Sequence, residues 1–442
     1  MNKRNININI EYLTRVEGHG NIVVDVKNGE LKTCQLQIVE APRFFEAMLL
    51  GRSIFEAQHI SSRICGICSG AHSLASIQAA EDALEISPSF QTLKLRELLL
   101  HLEFLDSHLL HIYLLVAPDL LGVKSFVPLI DSHNEIVRRA LRMKKIVNDC
   151  CDILTGRHTH PITCIVGGFT KLPKPKDLIK ILELLNSMKP DFDATIELAK
   201  QFSFPKFSRE TEYVSLINND KTYALLSGDI GSSDGVKLAK KDYQKATNEF
   251  IVAHSSAKHT KLSRNSYAVG ALARFNLNAH KLNPNAKKLA DDLGLKPICI
   301  NPYLNTVVQL IECVHCFSES IDIINLLQQK GLNYEEELVV GLNEQGRIKV
   351  KAGQGIGAVE APRGILYHHY EIDDKGIITK ANCVIPTAQN INNIEQDMFK
   401  LVPEIIDKSD AEIILALEML VRAYDPCISC SAHFLEVKFV NR

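Results

Sequence analysis

The sequence predicts a mainly α protein of the α+β class, a helical bundle with small peripheral β-sheets. Apolar residues recur at helical spacing through most of the 442 residues, an early segment alternates about an Asn-Gly turn, and a late alternating pair flanks Asp374-Lys375-Gly376. A hydrophobic content of 46% suffices for a sizeable core, and the chain, residues 1–442, reads as a single domain.

The elements follow in order. Ile22, Val24 and Val26 alternate with polar neighbours, Asn28-Gly29 supplies a tight primed turn, and Cys34, Leu36 and Ile38 alternate on the return, so a hairpin is expected within about 6–40. A helical core of about 44–330 begins with Phe45, Met48 and Leu49, then Leu74, Ile77, Ala80 and Leu84; Pro88 separates these from Leu93–Val116. Further helices are predicted over Ile136–Leu154, Leu178–Phe202, Tyr243–His254, Ala286–Leu293, Leu304–Leu327 and Ala411–Ala423. Ser203–Val236 is loop-rich but too short and mixed to link independent domains. Strands Ile365–Ile372 and Ile377–Val384 open a last segment, about 345–433, that ends in a metal-binding motif and leaves a short tail, 434–442.

Composition excludes several classes. Fifty Lys+Arg against 52 Asp+Glu give a formal net charge of −2, so nothing calls for nucleic acid or an anionic surface as partner. The N-terminus lacks the apolar core of a secretory signal, and a cytoplasmic location is expected. Leu98–Leu121 is the most apolar stretch, yet it carries His101, Glu103, Asp106, His108, His111 and Asp119, too many ionisable groups for a membrane span. Twelve cysteines without an export signal point to reduced thiols used in metal ligation or packing.

The chemistry-bearing feature is a pair of Cys-x-x-C motifs near the two ends: Arg63-Ile-Cys65-Gly-Ile-Cys68 and Asp425-Pro-Cys427-Ile-Ser-Cys430. A zinc ribbon keeps its two pairs close together, so this separation implies a buried site where the chain's ends meet. Four thiolates suit a soft transition metal, with zinc, nickel and iron–sulfur all admissible. Structural zinc or buried free thiols is the competing reading of either pair taken alone.

Here the sequence resembles the large subunits of nickel–iron hydrogenases. Arg63 to His72 looks like their N-terminal signature and Ala423-Tyr-Asp425-Pro-Cys427-Ile-Ser-Cys430-Ser-Ala-His433 like their C-terminal one. Arg15-Val-Glu17-Gly-His19, Pro42-Arg43-Phe-Phe-Glu46, Gly156-Arg157-His158-Thr-His160-Pro161 with Gly167-Gly168, and Glu360-Ala-Pro362-Arg363-Gly364 occur in the family's order, and the likeness spans about 8–433.

The resemblance implies the family's large-subunit fold and a Ni-Fe centre. Cys65 and Cys427 would be terminal nickel ligands, while Cys68 and Cys430 bridge to an iron of Fe(CO)(CN)2 type, a role suited to thiolate. His72 would hydrogen-bond a bridging sulfur, Glu17 would relay protons beside a terminal cysteine, and Arg363, next to Pro362 and anchored by Asp425, would lie over the open metal face. Glu46, His433 and a backbone carbonyl from Asn382–Thr387 would hold Mg2+. Dihydrogen would be cleaved heterolytically, with Cys427 or Arg363 receiving the proton. The remaining cysteines form no cluster-binding run, so a small iron-sulfur subunit is implied as partner. Flavin/NAD(P) diaphorase subunits, nickel-insertion proteins and a maturation protease that trims the tail after His433 are also implied.

Among relatives, the homologous respiratory complex I subunit lacks the four metal cysteines. The Phe250–His259 segment and Glu360–Leu366 look most like soluble NAD(P)-linked hydrogenases, also called sulfhydrogenase alpha subunits. A regulatory hydrogen sensor, an electron-transfer scaffold or a hydrogenase with another acceptor is the alternative. One departure stands out: many relatives have Asp directly before the His of the long helix, and this chain has Ser107 before His108, so Asp106 is left out of the site.

Other features favour bland readings. Cys313-Val-His315-Cys316 has metal-like spacing but lies in an apolar helix, where packing thiols are expected. His101, His108 and His111 read as satisfied core histidines. Gly353-Gln-Gly355-Ile-Gly357 has the wrong last spacing for a dinucleotide fingerprint, and no nucleotide site is assigned to this chain.

Overall fold

The fold, described from a computed structural model covering residues 4–343 and 346–432, has helix over about 49% of the chain, with small sheets. Strands β1 (Ile6–Ile10), β2 (Gly20–Lys27) and β3 (Glu30–Ile38) form an antiparallel sheet in that order. Asn28 and Gly29 both take positive φ, 54° and 79°, as the primed turn requires. Strand β1 goes beyond the expected hairpin. Its Asn-Ile alternation buries Ile6, Ile8 and Ile10 and exposes the asparagines between them.

The helical core starts with α1 (Ser69–Leu84) and α2 (Phe90–Leu110), which runs on through a π-wound segment, His111–Val116, to Leu120. Ser89 Oγ caps α2 by accepting from Thr92 N. This helix is long and apolar enough to cross a membrane, but its most apolar window is 72% buried inside the protein and packs as a core helix. Helix α3 (Asn134–Thr155) follows. The expected helix 178–202 is two, α4 (Pro175–Ser187) and α5 (Lys189–Ala199), because Pro190 fits only the first turn of a new helix.

Two further expectations need correction. Ser203–Val236 contains strands β4 (Glu212–Ile217) and β5 (Asp229–Ser232) of a four-stranded sheet. The helix expected over Tyr243–His254 stops at Thr247. Asn248 adopts a left-handed conformation and donates to the Lys245 and Lys261 carbonyls, and Phe250 pairs with His259, so a turn outcompetes the apolar periodicity.

Helix α6 (Asn305–Lys330) packs along α2. Strands β6 (Gly353–Ala361), β7 (Gly364–Ile372) and β8 (Ile378–Val384) form the late sheet. The glycine run lies on β6. A Cβ on Gly355 would stand 2.1 Å from the Ala79 carbonyl oxygen, and one on Gly357 1.9 Å from that of Ala75, so these glycines let the strand press against α1. Helix α7 (Pro386–Ile405) was hidden by its polar residues, which are buried and bonded: Gln389 Nε2 donates to Ile365 O at 2.7 Å and Asn392 Nδ2 to Asn265 O at 2.6 Å. Helix α8 (Asp410–Ala423) completes the core, and with α7 it buries the inner face of the β1–β3 sheet.

Candidate metal centre

The fold brings both ends of the chain to one point. Cys65 ends a short 3-10 turn, Cys68 precedes α1, and Cys427 opens a four-residue helix, Ile428–Ser431, after a sharp turn at Asp425, whose φ is 51°. The sulfurs of Cys65, Cys68, Cys427 and Cys430 all lie within 4.8 Å of one another. Cys65 Sγ is 3.7 Å from Cys427 Sγ, which is 2.6 Å from Cys430 Sγ. All four are buried. Backbone contacts fix the loops: Cys68 N donates to Cys65 Sγ at 3.1 Å and Cys427 N to Thr387 Oγ1 at 2.9 Å.

Burial pushes the Cys65 thiol up, but hydrogen bonds from Cys427, Cys430 and Cys68 outweigh it and hold this group well below the ordinary thiol range. Hydrogen bonding to Cys430 and Cys65 pushes Cys427 well above it. Four converging sulfurs in a dry pocket with one thiol already inclined to ionise form a donor set suited to a soft metal centre.

Glu17 reaches this cluster from the other end of the chain. Its backbone bridges Cys427 and accepts from Ile428 N at 2.8 Å. Its carboxylate accepts from Cys427 Sγ and from Ser429 N, each at 3.1 Å on Oε2, while Ser429 Oγ bonds Oε1.

Arg363 sits in the two-residue turn, Pro362-Arg363, between β6 and β7. Its Nη2 meets Asp425 Oδ1 at 2.8 Å, Nε donates to Asp425 O at 2.7 Å, and Nη1 to Ser107 Oγ at 3.1 Å. Burial opposes its charge, but the Asp425 carboxylate, and the sulfurs of Cys427, Cys68 and Cys65 when ionised, hold the guanidinium cationic. Ser107 is a site neighbour that sequence reasoning did not assign, whereas Asp106 pairs with Lys144 at 2.6 Å, away from the cluster. The departure at position 107 was itself the available signal.

Arg274 was also missed. It is fully buried, forms ion pairs with Glu312 and Glu360, and donates to the Ala361 and Pro362 carbonyls at 3.0 and 2.9 Å, which fixes the turn that presents Arg363. No local pattern marks it, because its partners lie far along the chain. The core histidines have definite bonds: His108 Nε2 to Glu312 at 2.9 Å, and His111 Nε2 to Arg422 O at 2.7 Å. Gln309 joins His111 to Asp425. The expectation of satisfied rings fails at His101 Nδ1 and at His108 Nδ1, both buried without a hydrogen-bond partner among the described residues.

His72 Nδ1 lies 3.1 Å from His368 Nε2, a third unforeseen neighbour, which in turn bonds Tyr370 Oη. Burial lowers His72 to about 4, so the ring is neutral. Its Nε2 has no protein partner among the described residues. Glu46 accepts from Cys383 N at 2.7 Å, within the segment expected to lie beside it, and burial raises its pKa. His433 lies outside the described residues; Ala432 O accepts from Arg43 N at 3.1 Å. Cys313 and Cys316 are buried in the core, and burial raises both thiols well above their ordinary range.

A family model described as nickel-dependent hydrogenase matches residues 43–133 and 214–433, and one described as HoxL-like matches 7–41. The chain belongs to the nickel-dependent hydrogenase large-subunit family. As a hydrogenase subunit, it is 32% identical over 431 residues to the alpha subunit of sulfhydrogenase 1 from Pyrococcus furiosus, covering 97% of this chain and 98% of that one. It is 30% identical to a subunit of the F420-non-reducing hydrogenase of Methanothermobacter thermautotrophicus, covering 98% and 95%. A solved NAD+-reducing [NiFe]-hydrogenase in the H2-reduced state aligns with TM-score 0.85 and 25% identity over 97% of this chain and 99% of that one. A [NiFeSe]-hydrogenase of Dm. baculatum, at 22% identity and TM-score 0.75, shares the fold over 97% of this chain and 100% of its own. Family and four-sulfur cluster together support a Ni-Fe centre in this hydrogenase.

Proposed function

We propose that this chain is the catalytic large subunit of a cytoplasmic, heteromultimeric nickel-iron hydrogenase that exchanges electrons with NAD(P) through flavin-bearing partners and a small iron-sulfur subunit. The observation that carries the reading is the buried convergence of Cys65, Cys68, Cys427 and Cys430 beneath Arg363 and beside Glu17. The NAD(P) link is supported by likeness to an NAD+-reducing enzyme and to a sulfhydrogenase alpha subunit.

In this reading Cys65, Cys68, Cys427 and Cys430 would together hold the nickel–iron centre, Cys65 and Cys427 on the nickel side and Cys68 and Cys430 towards an iron that would carry carbon monoxide and cyanide. The bound metals supply the redox chemistry and the polarisation of dihydrogen. The protein's residues do the rest. Arg363 fixes positive charge over the site and is kept in place by Asp425 and Ser107. A proton received on Cys427 Sγ would lie 3.1 Å from Glu17 Oε2, within transfer distance, and Ser429 on the other carboxylate oxygen steadies the relay. His72 Nε2, unpartnered among the described residues, would donate its proton to a cluster thiolate. Glu46 would contribute a carboxylate to the Mg2+ site that the resemblance implies; burial raises its pKa, and a bound cation would hold the carboxylate ionised. Maturation with nickel-insertion proteins and protease trimming after His433 belong to the same reading.

A second reading rests on likeness to an F420-non-reducing hydrogenase: the same centre serves an acceptor other than NAD(P). The complex co-purified from its native host decides between them. Hydrogen-dependent reduction of NAD+ or NADP+ supports the proposal; viologen reduction without either nucleotide transfers the assignment to the second reading.

A further inference from the structure

Outside the thiolate cluster, one other set of donors converges among the described residues. His254, His259 and Glu395 offer nitrogen and carboxylate atoms within 4.8 Å of one another. His254 Nε2 is 2.8 Å from Glu395 Oε1, and the rings of His254 and His259 meet edge-on with centroids 5.7 Å apart. His259 is 2% exposed, and its Nε2 is buried with no hydrogen-bond partner among the described residues. An unsatisfied buried polar group is costly, and a ligand on that nitrogen would remove the cost. An ordinary His254–Glu395 ion pair accounts for two of the three groups and leaves the third unexplained.

The donors are held on fixed backbone. His259 exchanges backbone hydrogen bonds with Phe250 at 2.8 and 2.9 Å, closing the loop that carries both histidines. Ser256 ties the loop's far end to β3, through N to Ile38 O at 3.0 Å and Oγ to Glu40 O at 2.7 Å. Glu395 projects from α7 and also accepts Leu36 N at 3.0 Å. Burial and the neighbouring His254 lower His259 to about 4, so its imidazole is neutral and keeps a lone pair for ligation at neutral pH.

We infer that His254, His259 and Glu395 form a second metal site that takes a divalent borderline transition metal, zinc being the preferred occupant. Two imidazoles and a carboxylate are a zinc donor set, and the absence of thiolate separates this site from the soft cysteine centre. His254 is partly exposed, which leaves an edge for water in the fourth position. The metal would staple the 250–259 loop and β3 to α7, the helix whose Thr387 also holds the Cys427 backbone.

The test uses the nickel-loaded complex from zinc-supplemented cells, dialysed against a weak chelator, with metal quantitation and zinc-edge X-ray absorption. The expected result is zinc retained at one equivalent per large subunit with only nitrogen and oxygen neighbours at about 2.0–2.1 Å. In H259N the zinc is lost while nickel stays unchanged. No retained zinc, or zinc with sulfur neighbours at about 2.3 Å, as occupation of the cysteine cluster would give, overturns the inference. Should H259N not accumulate, E395Q gives the same comparison, and the wild-type absorption spectrum decides by itself.

Discussion

Glu17 Oε2 lies 3.1 Å from Cys427 Sγ, although the two residues are separated by 410 positions. The contact is built by backbone as well as side chain, because Glu17 also forms a β-bridge with Cys427. A carboxylate held in this way against a cluster sulfur is placed to accept and pass on a proton, the role proposed for it.

Replacing Glu17 by Gln keeps the shape and removes the proton acceptor. Hydrogen oxidation with an artificial dye is expected to fall by about 10²–10⁴-fold, with nickel content unchanged, and E17D is expected to recover part of the loss. Equal activity in E17Q and wild type would remove Glu17 from the relay.

Arg363→Lys retains the charge but cannot make all three contacts, with Asp425 Oδ1, Asp425 O and Ser107 Oγ. A loss of about 10²–10³-fold in kcat, of the size seen when a single electrostatic stabiliser is removed, is expected in a folded, metal-loaded enzyme. Steady-state kinetics beside nickel quantitation check it, and a change confined to KM would contradict it.

The glycines of β6 give a purely structural test. In G357A the new Cβ would be driven into the Ala75 carbonyl, so a loss of about 1–3 kcal/mol or more is expected. A Cβ on Gly66 meets nothing within 4 Å, and G66A should unfold at the wild-type temperature. Thermal unfolding of both variants is the measurement.

His101 supplies a pH dependence. Burial, with the nearby His315 and Lys94, lowers it to about 3. The folded state therefore favours the neutral ring, and the stability this residue contributes is present above the unfolded value of about 6.5 and is lost as pH falls below it. Relative to H101L, the wild type should lose up to about 1.4 kcal/mol per pH unit between about 6.5 and 3. Unfolding midpoints at neutral and mildly acidic pH read the difference, and a pH-independent gap would contradict it.

Much of this was legible in the sequence, for identifiable reasons. The hairpin at Asn28-Gly29, the break at Pro88 before the long helix and the late strands around Asp374-Lys375-Gly376 are specified by local turn and breaker chemistry. Strand β1 was passed over because five residues of Asn-Ile alternation were weighed only as a failed export signal. Helix α7 was invisible because its polar side chains point into the protein, where Ile365 and Asn265 carbonyls receive them. At the site, paired cysteines announce themselves by spacing, and the motifs around Glu17 and Arg363 by resemblance. Arg274 and His368 do not, since each acts through a partner that only the tertiary fold brings near, and Ser107 shows only as a departure from the residue that many relatives carry before this His.

Whether the four-cysteine cluster holds a nickel–iron centre with diatomic ligands on iron is tested most directly by infrared spectroscopy. The sample is the complex co-purified with its natural partners, with nickel and iron quantified alongside. Sharp carbon monoxide and cyanide stretches with about one nickel per large subunit, and iron in excess of nickel by the content of the iron–sulfur partners, are predicted. Zinc in the cysteine cluster and a silent infrared window, in material from a host able to mature such centres, would contradict it.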